Sequence, residues 1–594
     1  MSSGKLSVGR AGRLIVVCIW LLAVAALAGI RDAPGARAAS PQSHLDQLAK
    51  LGRNLEDKLR LDRVRDALSS GGQQIMAIAD KLDKIKKAKA HGAHGKPQGP
   101  KSLPTGAGND AFAAEDFVTR LSGMTQSETS VGWCGSNAVI GFNDSGSFIA
   151  TLFLGASPSG SFSFNGFSSS SNAGGSYTDR GALIADPLPS GIMFRDLLGD
   201  PVIGCTSRSN FYYASLAVDT GTDFSFFNSG ISVSQSTNGG VSFGPAIMAV
   251  AKDGNFHFLD KPWMAVQPGP TPSPVDDIIH ITYTDFDFSG FAEPPQGPCP
   301  GAARIAIEYV TSPDGGDTWS SPQVLEEVCD FDPATNTAQF VQGSQVEAGL
   351  GSDVYVAWEH FQFNFDTNVE SRTIRIAKSS DGGASFGGTQ IVTDVTPVGD
   401  GFALQGLFRS GPDLQGLAVD RSTGPGRGAV YISWHDGRNR SKPDPFGFCG
   451  GQALYCFGDI LFTRSQDGGV SWSNPVRVND DDISLGIDQF QPAMDVDRSG
   501  NIWVLFYDRR RDTRNFLIDA YQAKSTSGGT KWTNARVTSA SFAPVTGWQD
   551  VVVNPVYMGD YIAAAADATG SNPGVIMAWG DNSLGDANIA QRRT

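Results

Sequence analysis

The sequence predicts an all-β fold, a β-propeller of four-stranded blades, on three observations. One octapeptide pattern, Ser-x-Asp/Asn-x-Gly-x-x-aromatic, recurs at residues 170–177 (SSNAGGSY), 236–243 (STNGGVSF), 312–319 (SPDGGDTW), 379–386 (SSDGGASF) and 465–472 (SQDGGVSW). A degenerate copy stands at 525–532 (STSGGTKW), and successive starts lie 66, 76, 67, 86 and 60 residues apart, a spacing that suits a decorated four-stranded blade. The second observation is an independent strand register, an aromatic followed two positions on by an acid. It gives Phe142/Asp144, Tyr283/Asp285, Trp434/Asp436, Phe506/Asp508 and Trp579/Asp581, with Trp358/His360 at the matching place. Third, each such strand follows another short apolar strand with a polar opening. These two-strand units, with one at 200–218, number seven against six octapeptides.

Within the octapeptide each residue type has a task in a tight turn. Asp or Asn accepts hydrogen bonds from turn amides, the glycines take positive φ, and the aromatic anchors the turn in the blade. The seventh unit, 560–580, runs out of chain after one more strand, so its missing strand is expected at 116–122, supplied from the N-terminal end. That closes the ring and leaves no exposed edge. Seven blades are favoured, with six as the alternative.

Residues 1–40 read as a signal peptide: Arg10 and Arg13, an apolar run over 14–30, then Ala36-Arg-Ala38 as a cleavage site. An uncleaved anchor is the other reading of that run. Residues 41–90 read as a helical hairpin or short coiled coil, broken by the Gly-Gly at 71–72, with self-association through these helices as one role. A linker rich in His, Gly, Pro and Lys follows over 91–110, and the propeller occupies 111–594. Residues 1–40 carry +4 and 41–101 carry +6, so the −15 of the whole chain leaves −25 on the remainder. So acidic a surface argues against nucleic-acid partners. A secreted, periplasmic or cell-surface location follows from the leader, and the mature chain is expected to have no membrane span. In such a compartment the six cysteines after Cys18 are expected to pair, by strand register and shared loop face, as Cys134–Cys205, Cys299–Cys329 and Cys449–Cys456.

The octapeptide is the Asp-box signature, and over residues 110–594 the chain resembles the bacterial neuraminidase repeat (BNR) propellers of the sialidase superfamily. The resemblance implies a glycan or glycoprotein partner and hydrolysis of an anionic sugar. A family sialidase holds its substrate carboxylate with three arginines and uses a Tyr nucleophile assisted by a Glu, with an Asp as acid/base. By position alone, Arg409, Arg438 and Arg509 are the candidate clamps, Asp436 or Asp508 the acid, and Tyr561 or Tyr557 the nucleophile. Glu359 and His435 join them as candidate binding residues in the same loops. Two departures stand against a direct transfer. The family's sialidases have six blades, and their Phe/Tyr-Arg-Ile-Pro segment is missing. Phe194-Arg-Asp-Leu197 is the nearest echo.

All these candidates belong to the face opposite the octapeptides, where the long loops lie. A second constellation stands at the openings of the innermost strands: Glu128, Asp200, Asp260, Asp413, Asp488 and Asp560. Converging carboxylates must be protonated, paired or bridged by a cation, and Asp260, Asp413, Asp488 and Asp560 are the candidate ligands for Ca2+. No other cofactor is indicated. The functional readings are therefore a secreted, sialidase-like glycosidase or, alternatively, a non-catalytic glycan- or protein-binding propeller at the cell surface.

Overall fold

The computed structural model describes residues 111–112 and 125–594, apart from segments at 154–156, 158–159, 186–192, 222–225, 272, 399–403, 405–413, 445–448, 450–451, 545–557 and 584–587. The leader, helical segment and linker expected before residue 111 lie outside the described residues, as do Arg409, Asp413 and Tyr557.

Seven antiparallel sheets form seven blades. Blade 1 comprises Gln126–Cys134, Asn137–Asp144, Asn165–Ser170 and Thr178–Ala182. Blade 2 follows with Met193–Cys205, Phe211–Gly221, Phe226–Ser236 and Ile247–Asp253, and blade 3 with His257–Gln267, Ile278–Asp287, Arg304–Ser312 and Gln323–Cys329. Blade 4 has Thr337–Ala348, Val354–Asn364, Val369–Ser379 and Gln390–Val395, with Phe331–Asp332 as a short fifth strand. Blade 5 has Gly416–Val419, Val430–Asp436, Asp459–Ser465 and Val476–Arg477, and blade 6 has Gln489–Val496, Ile502–Asp508, Asp519–Ser525 and Thr533–Arg536.

Blade 7 closes the ring. Ala563–Ala566, Val575–Asp581 and Asn588–Arg593 are completed by Ala111–Phe112, which pairs Ala111 with Gln591 and Phe112 with Ala590. The N-terminal side does supply the last strand, but from a point upstream of the expected 116–122, which lies outside the described residues. Apolar contact seals the same seam: Val131, Trp133, Ile140 and Phe142 of blade 1 pack with Ile576, Ala578 and Ile589 of blade 7.

The octapeptides join third to fourth strands through one repeated set of hydrogen bonds. The leading serine hydroxyl accepts the amide of the second glycine, at 2.8 Å for Ser312 with Gly316 and 2.9 Å for Ser379 with Gly383. The Asp or Asn side chain accepts the amide four residues on, as Asp467 does from Ser471 at 2.9 Å. In the degenerate copy Ser527 takes that place, accepting from Lys531 at 3.0 Å. The Ser385 and Ser471 hydroxyls, as strong local donors, pull Asp381 and Asp467 down to about 2. A carboxylate held below its unfolded range contributes stability that is complete above about pH 4 and is lost as pH falls toward 2. Asp467→Ala is therefore expected to lower the melting temperature at neutral pH and to flatten the acid limb of the stability curve. A variant as stable as wild type at pH 7 would contradict this.

The second glycine also sets how closely blades approach. Gly383 has φ 87°, and a Cβ there would lie 1.9 Å from the Tyr309 hydroxyl of blade 3. Gly240 and Gly529 press on Val139 and Phe462 of their preceding blades in the same way. Gly383→Ala is expected to cost about 1–3 kcal/mol from overpacking alone, measured by urea unfolding.

At the opposite face the aromatic-x-Asp register proves to be a strand terminator. Asp144, Asp436, Asp508 and Asp581 each end the second strand of a blade and accept the amide two residues on, at 2.9, 2.8, 2.6 and 2.7 Å. This Asx geometry turns the chain out of the sheet. The preceding aromatics (Phe142, Trp434, Phe506 and Trp579) are buried between blades.

The three disulfides form as read from register. Cys134–Cys205 joins the innermost strands of blades 1 and 2, Cys299–Cys329 ties a long loop to blade 3, and Cys449–Cys456 closes a loop of blade 5. Their persistence suits an oxidising compartment. Among the described residues no helix is long and apolar enough to cross a membrane.

Candidate functional site

The innermost strands share a bulge near their openings. Pairing slips between Ser127 and Ser130, Asp260 and Trp263, Gln342 and Gln345, and Phe490 and Ala493. The bulged residue is left-handed: Glu128 (φ 54°), Asp200 (54°), Lys261 (51°) and Gln491 (50°), with Gly343 (69°) in blade 4. For an L-residue this conformation costs roughly 1–2 kcal/mol. Four such residues ringing one axis are an outlier of the kind that collects at functional sites.

The bulges bring Glu128, Asp200, Asp260, Lys261, Asp560 and Tyr561 together from blades 1, 2, 3 and 7, none more than 6% exposed. Asn143 stitches the first two blades, donating to Glu128 at 2.8 Å and accepting the Asp200 amide at 2.8 Å. Glu128 then accepts the Asp560 amide at 3.0 Å across the closing seam. Lys261 Nζ has no hydrogen-bond partner and sits 3.0 Å above the Tyr561 ring, with Trp263 at 5.4 Å. Burial lowers the Lys261 pKa, while Asp200, Glu128, Asp560 and Asp260 oppose that shift. Tyr561, whose hydroxyl also lacks a partner, is held well above the ordinary phenol range by burial and then by Glu128, Asp200 and Asp560.

Tyr561 and Trp263 also form the inner end of an axial cavity of about 680 Å³ that runs between the innermost strands. Its walls include Val131, Ile203, Met264 and Ala563, and its far end, toward the octapeptide face, includes Glu347, Arg421 and Asp495. Burial in this channel pushes Glu347 up to about 7, against Arg421 at 3.4 Å.

The outer candidates are not gathered into this site. Arg438 clasps its own strand terminator, Nε to Asp436 at 2.8 Å and Nη2 at 2.7 Å. The candidate clamps Arg438 and Arg509 do not occupy equivalent positions. The matching residue is Arg510, also two positions after the terminator, which clasps Asp508 at 2.7 Å. Arg509, one position after it, is turned into the core, fully buried, with Nη1 donating to the Asn515 carbonyl at 3.0 Å and Asp488 at 3.9 Å. Burial pushes Asp508 up to about 7, the property of a general acid, though Arg510 holds it. Glu359 is buried with Arg372 at 3.6 Å. His435 is buried at the cavity wall, where Nδ1 accepts the Gln491 amide at 3.2 Å.

The carboxylate ring is likewise divided. Asp488 turns to Asn515 at 2.6 Å, the Gly458 amide at 3.0 Å and the Tyr455 hydroxyl. Asp260 accepts from Gln342 at 3.1 Å. Among the described residues no group of three or more His, Cys, Asp or Glu is placed to hold a metal ion. The cation among Asp200, Asp260 and Asp560 is Lys261.

Blade 3 adds a feature the sequence did not single out. His257 Nδ1 lies 3.0 Å from Asp285, which also binds Lys252 at 2.8 Å and Arg304 at 3.1 Å. Here the strand runs two residues past the register position, so Asp287 takes over the turn, accepting the Ser289 amide at 2.8 Å. Asp285 is thereby released for the ion network.

No family model and no curated protein matches the chain. Among solved structures, a Hadza microbial sialidase is similar at 13% identity over 66% of this chain and 65% of its own, with TM-score 0.37. This chain thus spans 65% of that sialidase's length. A polysaccharide lyase, an ulvan lyase, is similar at 10% identity over 82% and 96% of the two chains, with TM-score 0.47. A leech intramolecular trans-sialidase is similar at 12% identity over 82% and 70%, with TM-score 0.33. On its own strand pairing and its six octapeptide turns, this chain is a seven-bladed β-propeller that resembles those of the sialidase superfamily.

Proposed function

We propose that the protein is a secreted propeller that acts on glycans, with its site on the axis at the long-loop face. The observation that carries this reading is the convergence of Glu128, Asp200, Asp560, Lys261 and Tyr561 from four blades at buried positions, with Glu128, Asp200 and Lys261 in the strained left-handed conformation. Paired carboxylates and a tyrosine are the groups a retaining glycosidase of the sialidase kind requires. In that reading Tyr561 is the nucleophile. Its phenol is hard to ionise, so a carboxylate must take the proton, and Glu128 is the nearest in electrostatic effect. Asp560 and Asp200 are then available as acid/base, and the aromatic pair Trp263 and Tyr561 offers a face for a sugar ring.

One observation favours the non-catalytic alternative. Arg438 is committed to Asp436 and Arg509 is buried beside Asp488, and no three-arginine clamp forms among the described residues. The test is turnover of a panel of fluorogenic glycosides, sialosides included, alongside a glycan array. Turnover that Tyr561→Phe abolishes without altering the melting temperature is the expected result. Array binding without turnover moves the conclusion to the binding reading, and neither turnover nor binding overturns both.

A further inference from the structure

Blade 4, like blade 2, runs on where it faces the long loops. Its second strand does not stop at the terminator position, held here by His360, but runs four residues on to Asn364. At roughly 3.3 Å per residue this carries the strand roughly 13 Å past the terminator position, and roughly 7 Å past the end of the equivalent strand of blade 3, which runs on to Asp287. Residues 337–340, 361–364 and 369–372 build the extension, and Phe331–Asp332 widens it. Register places Phe340 opposite Phe361, and both Phe363 and Phe331 opposite Ala338. Because side chains alternate across a sheet, these phenylalanines share one face. Phe340 and Phe361 stack at 4.5 Å, Phe363 meets Phe365 at 5.0 Å, and Phe331 lies 6.2 Å from Phe365. Phe365, at the tip, is 54% exposed.

The ladder is continuous with the axial site. Gln342, two residues along from Phe340 and on the same face, donates to Asp260 at 3.1 Å. Along its edge Arg372 lies 5.1 Å over Phe361, held by Glu370 and by Glu359 at 3.6 Å. A row of partly exposed rings edged by hydrogen-bonding groups matches a sugar polymer, whose C–H faces are apolar and whose hydroxyls project sideways. The exposed Asp366 carboxylate at the tip of this extension disfavours an anionic lipid surface.

We infer that the blade-4 extension is a docking platform for an extended glycan chain, one end of which reaches the axial cluster. This rests on the glycan reading above and adds that the substrate is polymeric. The experiment is affinity electrophoresis of the full chain through gels containing soluble arabinan, ulvan or hyaluronan, with phosphatidylcholine–phosphatidylserine vesicles as a parallel probe. Retardation of wild type by at least one polysaccharide is expected, weakened tenfold or more by Phe365→Ala and by Phe361→Ala. Phe365 is exposed, so that variant keeps its fold, and Val470→Ala, at an exposed octapeptide turn on the opposite face, should be retarded like wild type. Retardation unchanged in both phenylalanine variants overturns the platform while leaving the glycan reading intact. No retardation of wild type together with no glycoside turnover overturns both, and capture by vesicles instead overturns the platform in favour of a membrane surface.

Discussion

Arg509→Ala is expected to destabilise the fold by about 3–5 kcal/mol, the loss typical of removing one partner from a buried ion pair. The Arg509 side chain is wholly enclosed, 5.4 Å from the Phe490 ring and 3.9 Å from Asp488. Burial already raises the Asp488 pKa, and Arg509 is the largest influence opposing that rise. Without it the carboxyl titrates higher still, so the variant's deficit should be greatest at neutral pH and shrink as pH falls through the range where Asp488 takes its proton. Arg438→Ala is the contrast. Its guanidinium is one-third exposed, and buried Asp436 keeps the Trp434 indole and the amides of Thr396 and residue 438 as donors when it is gone, so the expected loss is smaller, about 1 kcal/mol. Urea unfolding at pH 7 and pH 5 checks both. An Arg509→Ala protein as stable as wild type, or a larger deficit at the lower pH, would refute the assignment.

Those two arginines show where sequence reasoning reached its limit. Octapeptides and aromatic-x-Asp pairs were legible because each is local turn chemistry, complete within a few residues. Repetition then multiplied a weak signal into a blade count, and strand register was enough to pair the cysteines. Arg438 and Arg509 both stand within two residues of their terminators, Asp436 and Asp508, but period two decides which way a side chain leaves a strand end. Counted from the terminator, Arg438 corresponds to Arg510, and that distinction was present in the spacing. Lys261 was harder to place. Positive φ at Glu128, Asp200 and Gln491 leaves no trace in residue type, and only Gly343 of blade 4 marks the bulge in the ordinary way. His360 carried a signal of another kind. A terminator replaced by histidine means the strand continues, and the aromatic ladder lies on that continuation.

Lys261→Met should test the axis most severely. Glu128, Asp200, Asp260 and Asp560 surround this single ammonium, and all are nearly inaccessible to water. Methionine keeps the length of the side chain and its contact with the Tyr561 ring but removes the charge. Like-charged carboxylates left in a low-dielectric site must then take up protons, so their folded pKa values rise above the unfolded range near 4. A group shifted that way contributes stability at acid pH that is lost as pH rises through its folded pKa. The variant is accordingly expected to lose about 3–5 kcal/mol at pH 8 and to recover much of it near pH 5, well above the acid range in which the Asp467→Ala deficit closes. Lys261→Arg restores the charge but not the fit, because a guanidinium fork is wider than an ammonium in so close a space. It should therefore regain the pH profile of wild type without its full stability. If Lys261→Met instead unfolds with the same pH dependence as wild type, the carboxylates hold their charges by other means, and the lysine is not the counter-ion that lets four acids share the axis.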